Sequence, residues 1–248
     1  MAYYVDKKRD IIANFQNGLL PALVILLLIM SLIIIQPDYS TAIMIGFLGM
    51  LILFIGGAKI SHILLTCSTA LLIGIPVLLS REYRRERVLS FFGIGDNPDV
   101  GYQAHQSLIS LGNGGLFGTG LGNSIEKNHF LPTPHTDFIF AIIGEELGFL
   151  IGTVPVLTLF LLIFFQGVKI AKNCNDPFGI FLSVGIVSNL ILYAFVNAAV
   201  VTGLLPVTGL PMPMVSYGGS GMIINMSLIG ILLNISQAKR AVGDNIWT

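Results

Sequence analysis

Phe130-Leu-Pro-Thr-Pro-His-Thr-Asp-Phe-Ile-Phe-Ala-Ile-Ile-Gly-Glu-Glu-Leu-Gly148 joins a long polar stretch to an apolar run. It carries three carboxylates, Asp137, Glu145 and Glu146, among phenylalanines and isoleucines. Asp137, Ala141, Glu145, Gly148 and Gly152 recur at spacings of four, four, three and four, which puts them on one face of a helix. That face is small and polar, while the others are Phe, Ile and Leu. A small-residue stripe lets a second helix approach closely. At a rise of about 1.5 Å per residue, Asp137 and Glu145 lie roughly 12 Å apart, too far to share a proton as a carboxylate dyad. The apolar run from 138 to 170 is longer than one upright span of about 20 residues. We expect its first part to lie in a protein-lined pocket before the true span begins.

The medium around this stretch follows from composition. The sequence is 54% hydrophobic and 10% charged, against about 25% charged in a soluble domain. Its mean hydropathy is +0.84. Residues 19–35, 41–58, 61–80, 145–168, 178–202 and 216–235 are each apolar enough to cross a bilayer as a helix. The chain therefore reads as an all-α polytopic integral membrane protein with about six transmembrane helices. Residues 1–248 form one membrane domain, with one large extracytoplasmic loop at residues 81–136. Lys7, Lys8, Arg9, Lys59, Lys169, Lys172, Lys239 and Arg240 then fall on one side, which the positive-inside rule makes the cytoplasm. The 36–40, 81–136 and 203–215 connections fall on the other. Arg81, Arg84, Arg85 and Arg87 lie outside, and long loops cross regardless of charge. Net charge is zero, which gives no electrostatic case for nucleic-acid binding. Cys67 and Cys174 fit neither a disulfide framework nor a metal site.

The 81–136 loop is too long for a bare connection, and short helices on the membrane surface are expected in it. Within and beside it, several residues carry chemistry on two readings. Asp137 serves equally well as a helix N-cap or as a general base or metal ligand at the membrane boundary, with Phe138 and Phe140 raising its pKa. An intramembrane carboxylate is costly unless paired, so Glu145 on the small-residue face is a functional candidate. The arginines of Tyr83-Arg-Arg-Glu-Arg-Val88 are most simply a solvated charge run, with phosphate or lipid headgroups as the other reading. The glycine-dense Gly112–Gly122 segment implies turns and close backbone approach rather than a dinucleotide fingerprint. Lys127 follows it as one further cation. The three prolines of the 203–215 connection suggest a rigid segment lining a cavity. His62, His105, His129 and His135 show no metal-site spacing, and His135 is of interest beside Asp137.

Together these pieces resemble the SEDS family of shape, elongation, division and sporulation proteins, which comprises FtsW, RodA and SpoVE. The matching runs are QPDYSTA from Gln36, YRRERV from Tyr83, GYQAHQSL from Gly101 and GGLFGTGLGNSIEK from Gly114. FLPTPHTDFIFAIIGEELG from Phe130 and GLLPVTGLPMPMVSYGGSG from Gly203 complete them, in the family's order. GLGNSIEK and IIGEELG look more like FtsW than RodA. The resemblance implies a peptidoglycan glycosyltransferase that polymerises lipid II, the undecaprenyl-pyrophosphate-linked disaccharide pentapeptide. It would act in the bacterial cytoplasmic membrane, at the division septum, beside membrane lipid. The implied partners are a class B penicillin-binding protein and other divisome proteins, and a divalent cation (Mg or Mn) is the implied cofactor. By the same resemblance Asp137 is the catalytic carboxylate. Arg84, Arg87 and Lys127 fall on family positions and, with His135, Thr136 and Glu145, are expected to contact substrate. Thr133 stands where the family usually has Glu, which takes one acidic group from beside the site and with it any metal-binding role of that position. Family members have about ten spans, so six imply a C-terminal part, truncated at the N-terminus. Two other readings accompany this one: a lipid II flippase or transporter, and an inactive divisome scaffold fragment. No internal repeat supports transport by symmetry.

Overall fold

The computed structural model of the chain describes residues 1–94, 98–129 and 135–244. Among them there are helices and turns and no strand. In order they are α1 (Ala2–Lys7), α2 (Leu20–Ile35), α3 (Tyr39–Ile55), α4 (Ile60–Leu79), α5 (Glu82–Phe91) and α6 (Pro98–Gly114). Then come α7 (Ile125–His129), α8 (Ile139–Gly148), α9 (Val154–Asn173), α10 (Pro177–Val201) and α11 (Gly219–Asp244). Wide π turns at Phe15–Leu19 and Phe149–Thr153 lead into α2 and α9.

Among the described residues, five helical stretches are long and apolar enough to cross a membrane: Phe15–Ile35, Ile60–Leu79, Ile139–Asn173, Pro177–Val201 and Gly219–Gln237. The sixth expected segment forms the shorter apolar helix Tyr39–Ile55. Asp38 caps it by accepting from the Thr41 N–H at 3.0 Å. Leucines and isoleucines along α2 and α4 stay largely exposed, as side chains that meet lipid would.

The chain forms two compact units. The first takes Met1–Val77, Phe164–Asn189 and Ser227–Thr248. Its core gathers Val5, Ile12, Leu19, Leu23, Leu26 and Leu53. Tyr4 ties α1 to the first π turn by donating to the Gly18 carbonyl at 2.7 Å. The second unit takes Leu78–Ile163 and Leu190–Met226. Its core is built on Phe138, Phe140, Ile142, Phe160, Val201 and Met212.

Two expectations for the second unit need correction. The 81–136 segment does form helices, but α6 is seventeen residues long and packs along α8 with Ser107 and Ser110 fully buried. One face of it packs against the small face of α8, while Tyr102, His105 and Leu108 stay exposed, so it is longer and more closely packed than the short surface helices expected. Asp137 is not a helix N-cap: α8 starts at Ile139, its N-cap is Phe138, and no side chain caps it.

Candidate active site

The small-residue face of α8 is buried as its spacing demands, with Ala141, Glu145 and Gly148 enclosed. Ser110 of α6 lies against it, donating to the Ala141 carbonyl at 3.2 Å and to Glu145 Oε2 at 2.9 Å. The Glu145 carboxylate also accepts from Ser124 Oγ at 2.6 Å and from the Ile125 N–H at 3.0 Å. Three donors compensate a fully enclosed charge that would otherwise be very costly. Glu145 thus ties the start of α7 to α6 and α8. It is 0% exposed, and in this structure its carboxylate holds these segments together.

The long apolar run is divided at Gly148, as its length suggested. Gly148 has φ 79° and ψ 178°, a conformation open essentially to glycine alone. A break inside an apolar helix leaves backbone groups that must find partners. The glycine-rich segment supplies them. Glu145 O accepts from the Thr119 N–H at 2.9 Å, and Glu146 O from the Gly120 N–H at 3.0 Å. On the other side of the break, the Phe149 and Leu150 N–H groups donate to the Gly115 and Leu116 carbonyls at 2.9 and 3.0 Å. Such approach requires glycine: a Cβ on Gly114 or Gly118 would run into the backbone of α8.

Asp137 stands just ahead of α8, between Thr136 and the buried Phe138. Three successive carbonyls here are held from the 197–217 region. The His135 carbonyl accepts from the Tyr217 N–H at 2.8 Å, and the Thr136 carbonyl from Ser216 Oγ at 2.6 Å. The Asp137 carbonyl accepts from Asn197 Nδ2 at 2.7 Å. Ser216 Oγ also accepts from the Met212 N–H at 2.7 Å, so the same hydroxyl shapes the loop that grips it. Met214 in that loop has φ 62°, a strained value for a non-glycine residue. With its backbone fixed, the Asp137 carboxylate lies beside Gly209, where an added Cβ would come within 3.7 Å of Oδ2.

Burial pushes the Asp137 carboxyl above the usual aspartate range. A hydrogen bond from the Thr136 side chain and the positive charge of Arg87 hold the rise in check. Arg87 reaches the same place from α5, donating from Nη1 to the Val207 carbonyl at 3.2 Å. Arg84, three residues earlier, shares that face of α5 and is likewise half-buried, whereas Arg81 and Arg85 are exposed.

The structure therefore brings Thr136, Asp137 and Arg87 together, with exposed His135 contributing its backbone carbonyl. Lys127 pairs instead with Glu146, Nζ to Oε1 at 3.7 Å. Thr133 lies outside the described residues. Among the described residues no three His, Cys, Asp or Glu side chains gather as metal ligands. Sequence reasoning missed Asn197, Ser216 and Gly209. Asn197 carried a weak signal, being one of two amides, with Asn189, in an apolar span. Ser216 and Gly209 carried none beyond their place in a proline-rich turn. An apolar cavity of about 430 Å³ adjoins the same core, lined by Leu111, Phe140, Phe149, Leu157, Phe195 and Ala198.

The profile of the cell cycle protein family of FtsW, RodA and SpoVE matches residues 1–241. The chain is 42% identical over 237 residues to the probable peptidoglycan glycosyltransferase FtsW of Geobacter sulfurreducens (strain DL-1 / KN400), covering 95% of this chain and 63% of that protein. It is 39% identical to the stage V sporulation protein E of Bacillus subtilis, covering 97% of this chain and 66% of the relative. Among solved structures it resembles a chain of a peptidoglycan synthase complex described for its structural coordination of polymerization and crosslinking. The TM-score is 0.73 at 26% identity, over 95% of this chain and 66% of the other. Against the rod shape determining protein RodA of Thermus thermophilus the TM-score is 0.62 at 25% identity, over 96% and 61%. The chain spans a little under two thirds of the length of these relatives. These likenesses and the helices together make it a multi-pass membrane protein.

Proposed function

The chain belongs to the cell cycle protein family of FtsW, RodA and SpoVE, and from that membership we propose that it carries the active site of a peptidoglycan glycosyltransferase polymerising lipid II. The observation that supports this most is Asp137: a carboxylate with a fixed backbone, a raised proton affinity and an arginine beside it. A general base works best when its pKa sits near the working pH, and burial moves Asp137 in that direction. In the proposed step Asp137 accepts the proton of the attacking sugar hydroxyl as that oxygen bonds to the anomeric carbon of the donor. The bond from that carbon to the pyrophosphate oxygen breaks, and the lipid pyrophosphate leaves with the bonding pair. Positive charge at Arg87 and Arg84 opposes the negative charge developing on the leaving group. Lys127 adds its charge from the Glu146 pair. The apolar cavity offers a place for a stretch of lipid chain. A divalent cation, as the resemblance suggests, would add positive charge beside the pyrophosphate.

The proposal places the protein in the bacterial cytoplasmic membrane at the septum, with a class B penicillin-binding protein crosslinking the strands. Its test is polymerisation of lipid II by the purified protein in detergent, where there is no membrane to flip lipid across. Glycan from the wild type and none from Asp137→Asn supports the reading. Polymer made at equal rates by both sinks it.

A further inference from the structure

Asn197 lies in α10, among apolar neighbours, and is 2% exposed. Its Nδ2 donates to the Asp137 carbonyl at 2.7 Å and to the Leu210 carbonyl at 2.8 Å. An amide nitrogen has two hydrogens, and each here meets one carbonyl. The amide orientation follows from the two acceptors it faces, and Oδ1 is left buried without a partner. A single side chain therefore sets the spacing between the Asp137 backbone and the Leu210 backbone. Leu210 follows Gly209, whose missing side chain leaves the space beside Asp137 Oδ2. Gly209 has φ 74°, so glycine suits both the turn and the gap. The other two holds on this segment, from Ser216 and Tyr217, fall on Thr136 and His135 and reach neither Asp137 nor Leu210.

We infer that Asn197 is a positioning residue: its amide fixes the distance between the Asp137 carboxylate and the Gly209 backbone, and so governs how far water reaches that carboxylate. The catalytic half of this inference rests on the proposed function; the placement half does not.

Asn197→Asp tests it, keeping shape while replacing the two N–H donors with a carboxyl that can give at most one hydrogen to the two carbonyls. The first readout needs no turnover. Carboxyl groups of the detergent-purified protein are labelled with a water-soluble carbodiimide and an amine at mildly acidic pH, and Asp137 is quantified by peptide mass spectrometry. Labelling of Asp137 should rise several-fold in the variant, while Asp176, in the other unit, should label equally in both proteins. Unchanged Asp137 labelling overturns the inference whether or not the protein polymerises lipid II. Should N197D fail to give a monodisperse protein, Asn197→Ala removes the donors without adding a charge and is read in the same way. The second readout is kinetic: kcat for lipid II should fall by about 100-fold with KM held, as expected for a base displaced by about 1 Å. The acid limb of the pH profile should also move to lower pH as water reaches the carboxyl. A lower kcat with an unmoved pH profile and unmoved labelling is a purely structural effect and overturns the inference. A wild type that makes no glycan refutes the functional reading alone, and the labelling still decides the placement.

Discussion

Asp137 and Glu126 are two carboxyls raised by burial in different settings, and their pH dependences serve different ends. Asp137 must be ionised to take a proton, so the rate should climb with pH through a value above the ordinary aspartate range and then level off. Asp137→Asn should lower kcat by about 10²–10⁴-fold and abolish that limb, as measured by glycan yield against pH. Arg87 holds the carboxyl down, so Arg87→Gln should shift the limb to higher pH, opposite to the shift expected on admitting water. Glu126 is buried with Oε2 unpartnered, and its carboxyl is raised first by burial and then by the charge of Glu145. The folded protein therefore binds this proton more tightly than the unfolded chain does. The associated stability is full below the unfolded pKa and is lost as pH rises through the folded one. Glu126→Gln is neutral at every pH and should raise Tm at neutral pH while leaving it unchanged in acid. Equal shifts at both ends would remove the titration from the account. Asp137 was visible in the sequence because an acid beside two phenylalanines is conspicuous. Asn197 and Ser216 were not, because what they do depends on carbonyls 60 and 80 residues away.

At the scale of elements, the break in the long apolar run is the decisive feature. Its existence was legible, since a run from 138 to 170 exceeds what a bilayer holds in one upright span. Its partner was legible only as a glycine-dense segment with no assigned destination. The link between them is backbone to backbone and leaves no side-chain pattern to read. Gly148→Ala should cost about 1–3 kcal/mol in backbone strain alone. The added Cβ would also meet the Phe117 and Gly118 backbone. Thermal unfolding followed by size-exclusion chromatography should show a marked fall in the transition, and an unchanged one would discount the threading of the two segments. Glu145→Gln should also destabilise, by about 1–3 kcal/mol, because the new amide nitrogen brings a donor to a place already filled with donors.

For the molecule as a whole, hydropathy located the six apolar segments that form helices among the described residues, and one of them, α3, ends at Gly56 short of the length of the others. Hydropathy did not find the packing of α6 against α8, since α6 is a mixed helix within a polar stretch. By the positive-inside rule, the basic residues predict that the turn after α9 is cytoplasmic. Cys174, a free and partly exposed thiol in that turn, reports it directly. With Cys67→Ser as background, a membrane-impermeant maleimide should leave Cys174 unmodified in intact spheroplasts and label it after permeabilisation. Asn123→Cys in the same background should label from outside. The reverse pattern would invert the topology and put Asp137 on the wrong face for lipid-linked substrate.

The three carbonyls before α8 have a consequence for biogenesis. They leave the ribosome well before the chain that will hold them: Ser216 is made 80 residues after Thr136. Asn197, the first of these partners, is itself made 60 residues after Asp137, and closing so long a loop is slow compared with forming a helix. A nascent chain halted after α8 would be inserted in the membrane yet lack an ordered Asp137, and the site would come into being only once α10 and the 210–217 segment have followed it.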